Sequence, residues 1–389
     1  MSKRLLIVGG GFAGVAAAMA AARYRHLLGC QSDLEIQLIN PSSAHGIRVR
    51  YYEKNLAETQ VDLLRVLEPL NITLIVSEVT NIDPHVGQVT LDTGQLKSFD
   101  SLVLASGSQL VLPELPGLKQ LGFNVDSYPE ACRLREKLEA FGEKANVVIV
   151  GAGFTGLELA CELAIDYPEA SITLIDRGNV GSALGDNPRS YIEERLKKLK
   201  IRCVSQQQLT GVHQDIVVLK GDIKIPCNTL IWCGGVRANP LTSCFNAKKN
   251  NQGRLILNKV LSIPGYTNCF AAGDVGVAKV DGNHDSLMTC QHGRPQGRIA
   301  GHNAVAFLYK KNMLDYQQPD YVNILDLGGE DALYMEGWKR TVVRQGESAK
   351  KTKKEINCQR IYPPLNGNIS ELFDAGTPVI QTQPSKYDD

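Results

Sequence analysis

Hydrophobic and polar positions fall into one pattern that occurs twice. Leu5-Leu6-Ile7-Val8 is an uninterrupted apolar run, as expected of a strand buried on both faces, and the small-residue run from Val15 to Ala22 predicts a helix. Between them lies Gly9-Gly10-Gly11-Phe12-Ala13-Gly14. The second copy is Val147-Val148-Ile149-Val150, then Gly151-Ala152-Gly153-Phe154-Thr155-Gly156, then Leu157-Glu158-Leu159-Ala160. Both loops keep the G-x-G-x-x-G spacing. The first glycine makes the tight turn, the second lets backbone approach a pyrophosphate, and the third lets the helix lie close against the strand. Free N–H groups and the positive dipole end at each helix start form an anion site. One such loop is weak evidence; two, each between an apolar strand and a helix, predict a pair of dinucleotide-binding units.

The rest of the pattern fits around that pair. Leu34–Ile39 predicts a second strand with Asn40 at its end, and Ser171–Ile175 predicts its counterpart, ended by Asp176. This position accepts hydrogen bonds from a ribose hydroxyl in such units. Asn40 lies further from its loop than the usual ~20 residues and lacks a carboxylate's charge, although its amide oxygen can still accept one bond. Asp176 has the usual spacing. Its charge favours NADH over NADPH, with the adjacent Arg177 moderating that preference.

Strands are expected at 72–79 and 88–91, around Asp83-Pro84, and at 99–104, where Ala105-Ser106-Gly107 lets backbone pass close to a cofactor. Residues 109–130 read as a crossover. Leu230–Gly235 and Cys269–Asp274 read as strands with small-residue ends, and 289–308 as a helix. Beyond Pro319, strands at 321–327 and 332–338 flank Gly328-Gly329, followed by a basic helix at 348–356 and an irregular tail. The expected fold is α/β, with two Rossmann-like domains and a smaller α+β C-terminal domain. The expected boundaries are 1–112 with 253–318, 113–252, and 319–364, with a tail at 365–389.

Composition narrows the classes. Lys plus Arg number 42 against 41 for Asp plus Glu, a balance that argues against a nucleic-acid partner. The N-terminal apolar stretch can pass for a secretory signal, but its removal would delete the central strand of the first unit, so it reads as fold. No apolar run approaches the ~18–20 residues of a membrane span. Ten cysteines without a C-x-x-C pair read as reduced, mostly buried thiols in the cytoplasm, and no metal site is expected. The basic run Arg195, Lys197, Lys198, Lys200 and Arg202 reads as a solvated helix face, and so does the Lys350–Lys354 helix, whose rival role is a partner or anionic-lipid patch.

Two nucleotide loops, the Ala105-Ser106-Gly107 strand end, the stretch from Trp232 to Arg237 and the late Ala272-Gly273-Asp274 together resemble the two-dinucleotide-binding-domain flavoproteins. Within these, 232–241 and 290–297 are most similar to type II NADH dehydrogenases, the single-chain NADH:quinone oxidoreductases. The resemblance runs to about Pro364. It implies non-covalent FAD on the first loop (Gly9, Gly11, Phe12, Ala13, Gly14), with the Val79 backbone at the adenine and Asp274 on the ribityl chain. NADH would lie on the second loop (Gly151, Gly153, Thr155, Gly156) with Asp176. Asn40, Arg48, Ala105, Ser106, Gly107, Gly235 and Gly273 are further expected cofactor contacts. Glu158 and Gln291 are the expected catalytic residues, placed near nicotinamide and flavin. A second, compatible reading of Glu158 is a first-turn acid favoured by the helix dipole, worth ~0.3–1 kcal/mol without any catalysis. The basic-aromatic stretch 44–53 either lines a flavin or substrate pocket or caps the surface.

The chain also departs from the family pattern. No cysteine lies between Cys30 and Cys132, which excludes the thiol relay of the related disulfide reductases. Gln291 matches the first Gln of the quinone-lining segment, but Cys290 replaces its Ala and Pro295 takes the place of the second Gln. The tail lacks basic amphipathic helices of the membrane-anchoring kind. The expected activity is an FAD-dependent NADH oxidoreductase that passes electrons to a quinone. The alternatives are a carrier protein or biosynthetic intermediate as acceptor, sulfide oxidation through Cys161 and Cys358, and a non-catalytic redox sensor. Peripheral membrane contact and a homodimer stay open.

Overall fold

Strand β1 (Lys3–Val8) has its last four side chains buried, and it sits inside a six-stranded sheet. With β2 (Leu34–Asn40), β3 (Thr73–Val76), β4 (Ser101–Leu104), β10 (Ser262–Ile263) and β11 (Tyr266–Ala271), the sheet order is β10-β11-β4-β1-β2-β3. Pairing is parallel except at the β10–β11 edge. The protein is described by a computed structural model that covers residues 2–141 and 145–380.

The second sheet is wholly parallel. It comprises β5 (Gly122–Phe123), β6 (Asn146–Val150), β7 (Ser171–Ile175), β8 (Arg202–Val204) and β9 (Thr229–Trp232), in the order β5-β9-β6-β7-β8. The register is the same in both units: Val8 lies opposite Ile39, and Val150 opposite Ile175. The two crossings between the sheets pair with each other, Ser108–Leu110 running antiparallel to Val236–Ala238.

Helix α1 (Phe12–Leu27), seven of whose 16 residues are alanine, packs along α5 (Cys290–Leu308). A Cβ on Gly297 would stand 2.1 Å from the Ala13 carbonyl oxygen, and one on Gly301 would stand 2.1 Å from that of Ala17. Only glycine permits this backbone approach. Helix α2 (Tyr128–Phe141), α3 (Phe154–Asp166) and α4 (Arg189–Lys198) belong to the second unit. A third sheet, β12 (Val322–Asp326), β13 (Ala332–Glu336) and β14 (Thr341–Gln345), is antiparallel and is followed by α6 (Glu347–Glu355).

Several expectations need correcting. The strand expected at 72–79 divides: β3 ends at Val76, and Val79–Asp83 joins a separate antiparallel sheet with Gln88–Leu91 and Leu96–Ser98. The C-terminal hairpin gains β14, which alternates exposed and half-buried residues and so left little apolar signal. The tail is not irregular throughout. Helix α7 (Ile369–Ala375) is capped by Asn368 and rests on α1, where a Cβ on Gly376 would meet Met19 and Ala20 backbone at 2.6–2.8 Å. Residues 381–389 of the expected tail lie outside the described residues.

Helix α6 is not a solvated face. Lys350 is buried, and its ammonium lies 2.5 Å from Asp326 and 3.0 Å from Glu162; Lys353 pairs with Glu158, while Lys354 reaches the exposed Glu330. In the other basic run Lys197, Lys198, Lys200 and Arg202 are exposed, but Arg195 donates to the carbonyls of Leu327 and Gly328 and so docks α4 on the C-terminal hairpin.

Candidate functional site

The first sheet's loop and the second sheet's loop open onto one cavity of about 570 Å³. Its wall takes Gly9, Gly11, Phe12 and Ala13 from one side and Gly153, Thr155 and Gly156 from the other. The glycines divide their work as the spacing requires. Gly9 and Gly151 have φ of 108° and 106°, and a Cβ on either would strike carbonyl oxygen at 2.3 or 2.5 Å. A Cβ on Gly14 or Gly156 would fall within 2 Å of the carbonyl oxygen of Gly9 or Gly151; these two pack helix on loop. Gly11 and Gly153 face open space, and no side chain caps either helix there. The cradle therefore presents unpaired N–H groups to the cavity.

Ala105, Ser106, Gly107, Asn40, Arg48, Gly235, Gly273 and Asp274 complete much of this wall. The Ser106 hydroxyl is buried without a partner. Asn40 and Asp176 play one part in their two units. The Asn40 amide oxygen accepts from Gly10 N–H at 2.8 Å, and the Asp176 carboxylate accepts from Ala152 N–H at 2.7 Å and Gly178 N–H at 2.7 Å. Each side chain pins its glycine loop and keeps a further lone pair for a ribose hydroxyl. Val79, buried at the start of its strand, lines a neighbouring cavity of about 470 Å³ that also reaches Gly9 and Asn40.

Asp274 sits on a short turn whose main chain is held from behind. Gln296, fully buried on α5, accepts from Gly273 N–H at 2.8 Å and donates to Ser286, and Arg254 donates to the Asp274 carbonyl. The Asp274 carboxylate accepts from Ser108 at 2.5 Å. Arg48 also donates to Ser108 and pairs with Asp126. Sequence reading passed over Ser108, Asp126 and Gln296, which carry no local spacing signal. The basic-aromatic stretch divides its duties: Arg48 and Tyr52 face cavities, whereas His45 and Arg50 are buried structural groups.

A second cavity, about 830 Å³, shares Arg48, Val49, Val125, Phe154, Thr155, Met288, Thr289 and Cys290 with the first. Both expected catalytic residues lie here. Helix α5 starts at Cys290 with Thr289 as its cap, and Gln291 points toward the C-terminal domain, where its oxygen accepts from Val322 N–H at 3.4 Å. Pro295, inside the helix, supplies no N–H to the Gln291 carbonyl. Glu158 is the fifth residue of α3, past its first turn, and buried, so the reading of a first-turn acid does not hold. Its carboxylate meets the Lys353 ammonium at 2.7 Å and Asp326 N–H at 3.1 Å.

The acids of this cluster are pulled in different directions. Burial raises the Glu158 carboxyl against the opposing pull of Lys353, and burial with the nearby Asp326 charge pushes Glu162 up to about 7. Burial alone would raise Asp326, but Lys350 and Lys353 hold it below the usual carboxylate range. Tyr52, deeply buried, donates to Asp326 at 3.0 Å and is raised well above the ordinary phenol.

All ten cysteines are free thiols. Of the pair considered for sulfide chemistry, Cys161 is fully buried with its thiol pushed up by burial, and Cys358 is exposed.

Two phosphate cradles facing one cavity, with a third domain closing a second cavity beside it, define a two-nucleotide oxidoreductase. The chain belongs to the pyridine nucleotide-disulphide oxidoreductase family, whose model matches residues 3–297. It is 40% identical to an NADH dehydrogenase-like protein of Mycobacterium tuberculosis, over 98% of this chain and all of that one. It is 24% identical to a type II NADH:quinone oxidoreductase of Staphylococcus saprophyticus, over 96% and 98%. The solved structure of NDH2 from Plasmodium falciparum in complex with NADH superposes with a TM-score of 0.76 at 13% identity, covering 97% of each chain. The protein is an NADH dehydrogenase-like oxidoreductase of the type that uses FAD and NAD(P)H. Among the described residues no helix is long and apolar enough to cross a membrane.

Proposed function

We propose that the chain oxidises NADH and reduces a quinone, with FAD in the first cavity and the quinone in the second. The single observation that carries this reading is the junction of the two cavities along the start of α5. A cofactor lying on the first loop can face the nicotinamide on one side and the acceptor on the other. Residues present fit FAD: an uncapped glycine cradle, an unpartnered Ser106 hydroxyl, and Asp274 held by Ser108 on a turn whose Gly273 N–H is bonded by Gln296. Bound FAD supplies hydride acceptance from one substrate and electron release to another.

The chain's own groups bind, orient and move protons. Glycine-loop N–H groups bind the two pyrophosphates, and Asp176 binds the NADH ribose in preference to a 2′-phosphate. Net reaction consumes NADH, one proton and the quinone, and yields NAD⁺ and the quinol. Glu158 faces the second cavity and relays a proton to the quinone oxygen, its resting carboxylate held in place by the Lys353 ammonium. The relative named as an NADH:quinone oxidoreductase supports this choice of acceptor.

Holoenzyme should be yellow and bleach on anaerobic NADH, and stopped-flow mixing should show faster reoxidation by a ubiquinone analogue than by a ferredoxin or rubredoxin. Glu158→Gln should slow reoxidation by quinone about tenfold or more while NADH still bleaches the flavin. Equal quinone rates in this variant and the wild type would remove Glu158 from the proposal.

A further inference from the structure

The far wall of the second cavity carries charge that an ordinary neutral quinone would leave uncompensated. Arg294 and Arg298 stand four residues apart on α5, one helical turn and two turns beyond Cys290, so their Cα atoms lie ~6 and ~12 Å along the axis from the cavity junction. Every other cation lining the cavity has an acid: Arg48 has Asp126, Lys353 has Glu158, and Arg360 has Glu355. Neither Arg294 nor Arg298 has one among the described residues. Each spends one N–H on a main-chain carbonyl, Arg294 on Arg360 at 2.9 Å and Arg298 on Ala375 at 2.8 Å. Burial lowers both guanidinium groups, Arg298 to about 10 with Arg294 adding repulsion.

A third donor lines the same cavity. Asn357 is only 7% exposed and has its amide nitrogen without a partner. The same lining carries apolar side chains, among them Val49, Ile324, Ile356 and Ile361. The one acid on the lining is Glu158, already paired. A pair of unneutralised guanidinium groups in a partly desolvated wall is a carboxylate-binding arrangement, because a planar fork bonds both oxygens and the missing counter-charge comes with the ligand.

We propose that the acceptor is an acid: a quinone whose ring occupies the cavity junction and whose substituent carries a carboxylate to Arg294, Arg298 and Asn357. This rests on the quinone reading above and names the class of quinone. An apolar wall receives the ring and linker; the arginines set how far from the ring the charge lies, one to two helical turns.

The test uses holoenzyme and two benzoquinones with the same ring, one bearing a short carboxyalkyl chain and the other its methyl ester, so that ring potential is matched. The acid should show a kcat/KM about tenfold or more above the ester. Arg294→Gln with Arg298→Gln should bring that ratio to about one. Arg294→Lys with Arg298→Lys should keep part of it, since charge remains while the fork is lost. Only preparations with the wild-type ratio of flavin to protein are compared, and Arg298→Gln alone is read the same way where the double variant does not retain flavin. Equal use of acid and ester by the wild type, or a ratio that survives the Gln variants, overturns the proposal and leaves quinone reduction standing. Failure of both quinones to reoxidise NADH-reduced enzyme overturns the quinone reading itself, and this inference with it. Flotation on phosphatidylglycerol but not phosphatidylcholine vesicles, lost in the Gln variants and without any acid preference, would assign the arginines to a lipid headgroup and overturn the proposal.

Discussion

At the scale of single residues, Asn40 and Asp176 show why a motif position is easier to find than to interpret. Both were legible as the residue ending the second strand of a nucleotide unit. Their hydrogen bonds to Gly10 and Ala152 N–H were not, because they depend on how each loop folds back over its strand. An amide oxygen does this as well as a carboxylate, which explains an Asn at a position where ribose binding alone would favour an acid. The same pairing dictates how to test coenzyme choice. Asp176→Ala would unpin the loop, whereas Asp176→Asn keeps an acceptor and removes the charge. The expected result is a rise of about tenfold in kcat/KM for NADPH relative to NADH, measured by initial rates with both coenzymes.

His45 makes a pH prediction of the same kind. It is fully buried, bonds the Gly10 carbonyl at 3.0 Å, and burial lowers its imidazole to about 4. Since the unfolded chain takes up this proton near pH 6.5 and the folded chain does not, the stabilisation is whole above 6.5 and is lost as pH falls through 4. At ~1.4 kcal/mol per pH unit the loss is about 3 kcal/mol. Denaturation midpoints taken across pH 7 to 4 should fall by at least that much, since burial lowers His292 and His302 in the same way, and His45→Gln should remove about a third of the slope. An unchanged slope would show that His45 is not the sensitive group.

At the scale of elements, the strands were legible where both faces are buried. Leu5–Val8 and Val147–Val150 read directly as apolar runs, while β14, with no buried side chain, did not. Helix α6 misled for a related reason. A lysine-rich helix reads as solvated, yet Lys350 and Lys353 are three residues apart and face one side, toward acids on α3 and β12 that are distant in sequence. Helix α5 was legible as a helix, but the purpose of its glycines was not, because the partner surface is α1. Gly301→Val tests that contact. Its branched side chain would meet Ala17 backbone at 2.1–2.8 Å, where backbone cannot yield cheaply, so the loss should be about 3 kcal/mol or more. A melt of the flavin-loaded protein measures it; a midpoint within 2 °C of wild type would mean the helices separate at little cost.

At the scale of the whole molecule, the three domains meet at one buried charge cluster. Glu158 and Glu162 come from the second unit, Tyr52 from the first, and Asp326, Lys350 and Lys353 from the C-terminal domain. No run of ten residues contains more than two of these groups, which is why the cluster had no local sequence signature even though Glu158 was singled out alone. Such a cluster is a weak source of net stability but a costly one to break, because removing one partner strands a buried charge. Lys350→Met does this to two carboxylates at once and should cost about 3–5 kcal/mol at pH 8. The pH dependence separates this from simple loss of packing. Glu162 already sits up at about 7 in the folded protein, against 4.5 for an ordinary glutamate. A carboxyl raised on folding contributes stability that is whole below 4.5 and is lost as pH rises through the folded value. Without the Lys350 ammonium that value rises further. The variant should therefore recover stability relative to wild type as pH falls from 8 toward 6, with denaturant midpoints converging. A deficit that stays constant over this range would mean that Lys350 acts through its methylene packing, and that the cluster does not bind the domains electrostatically.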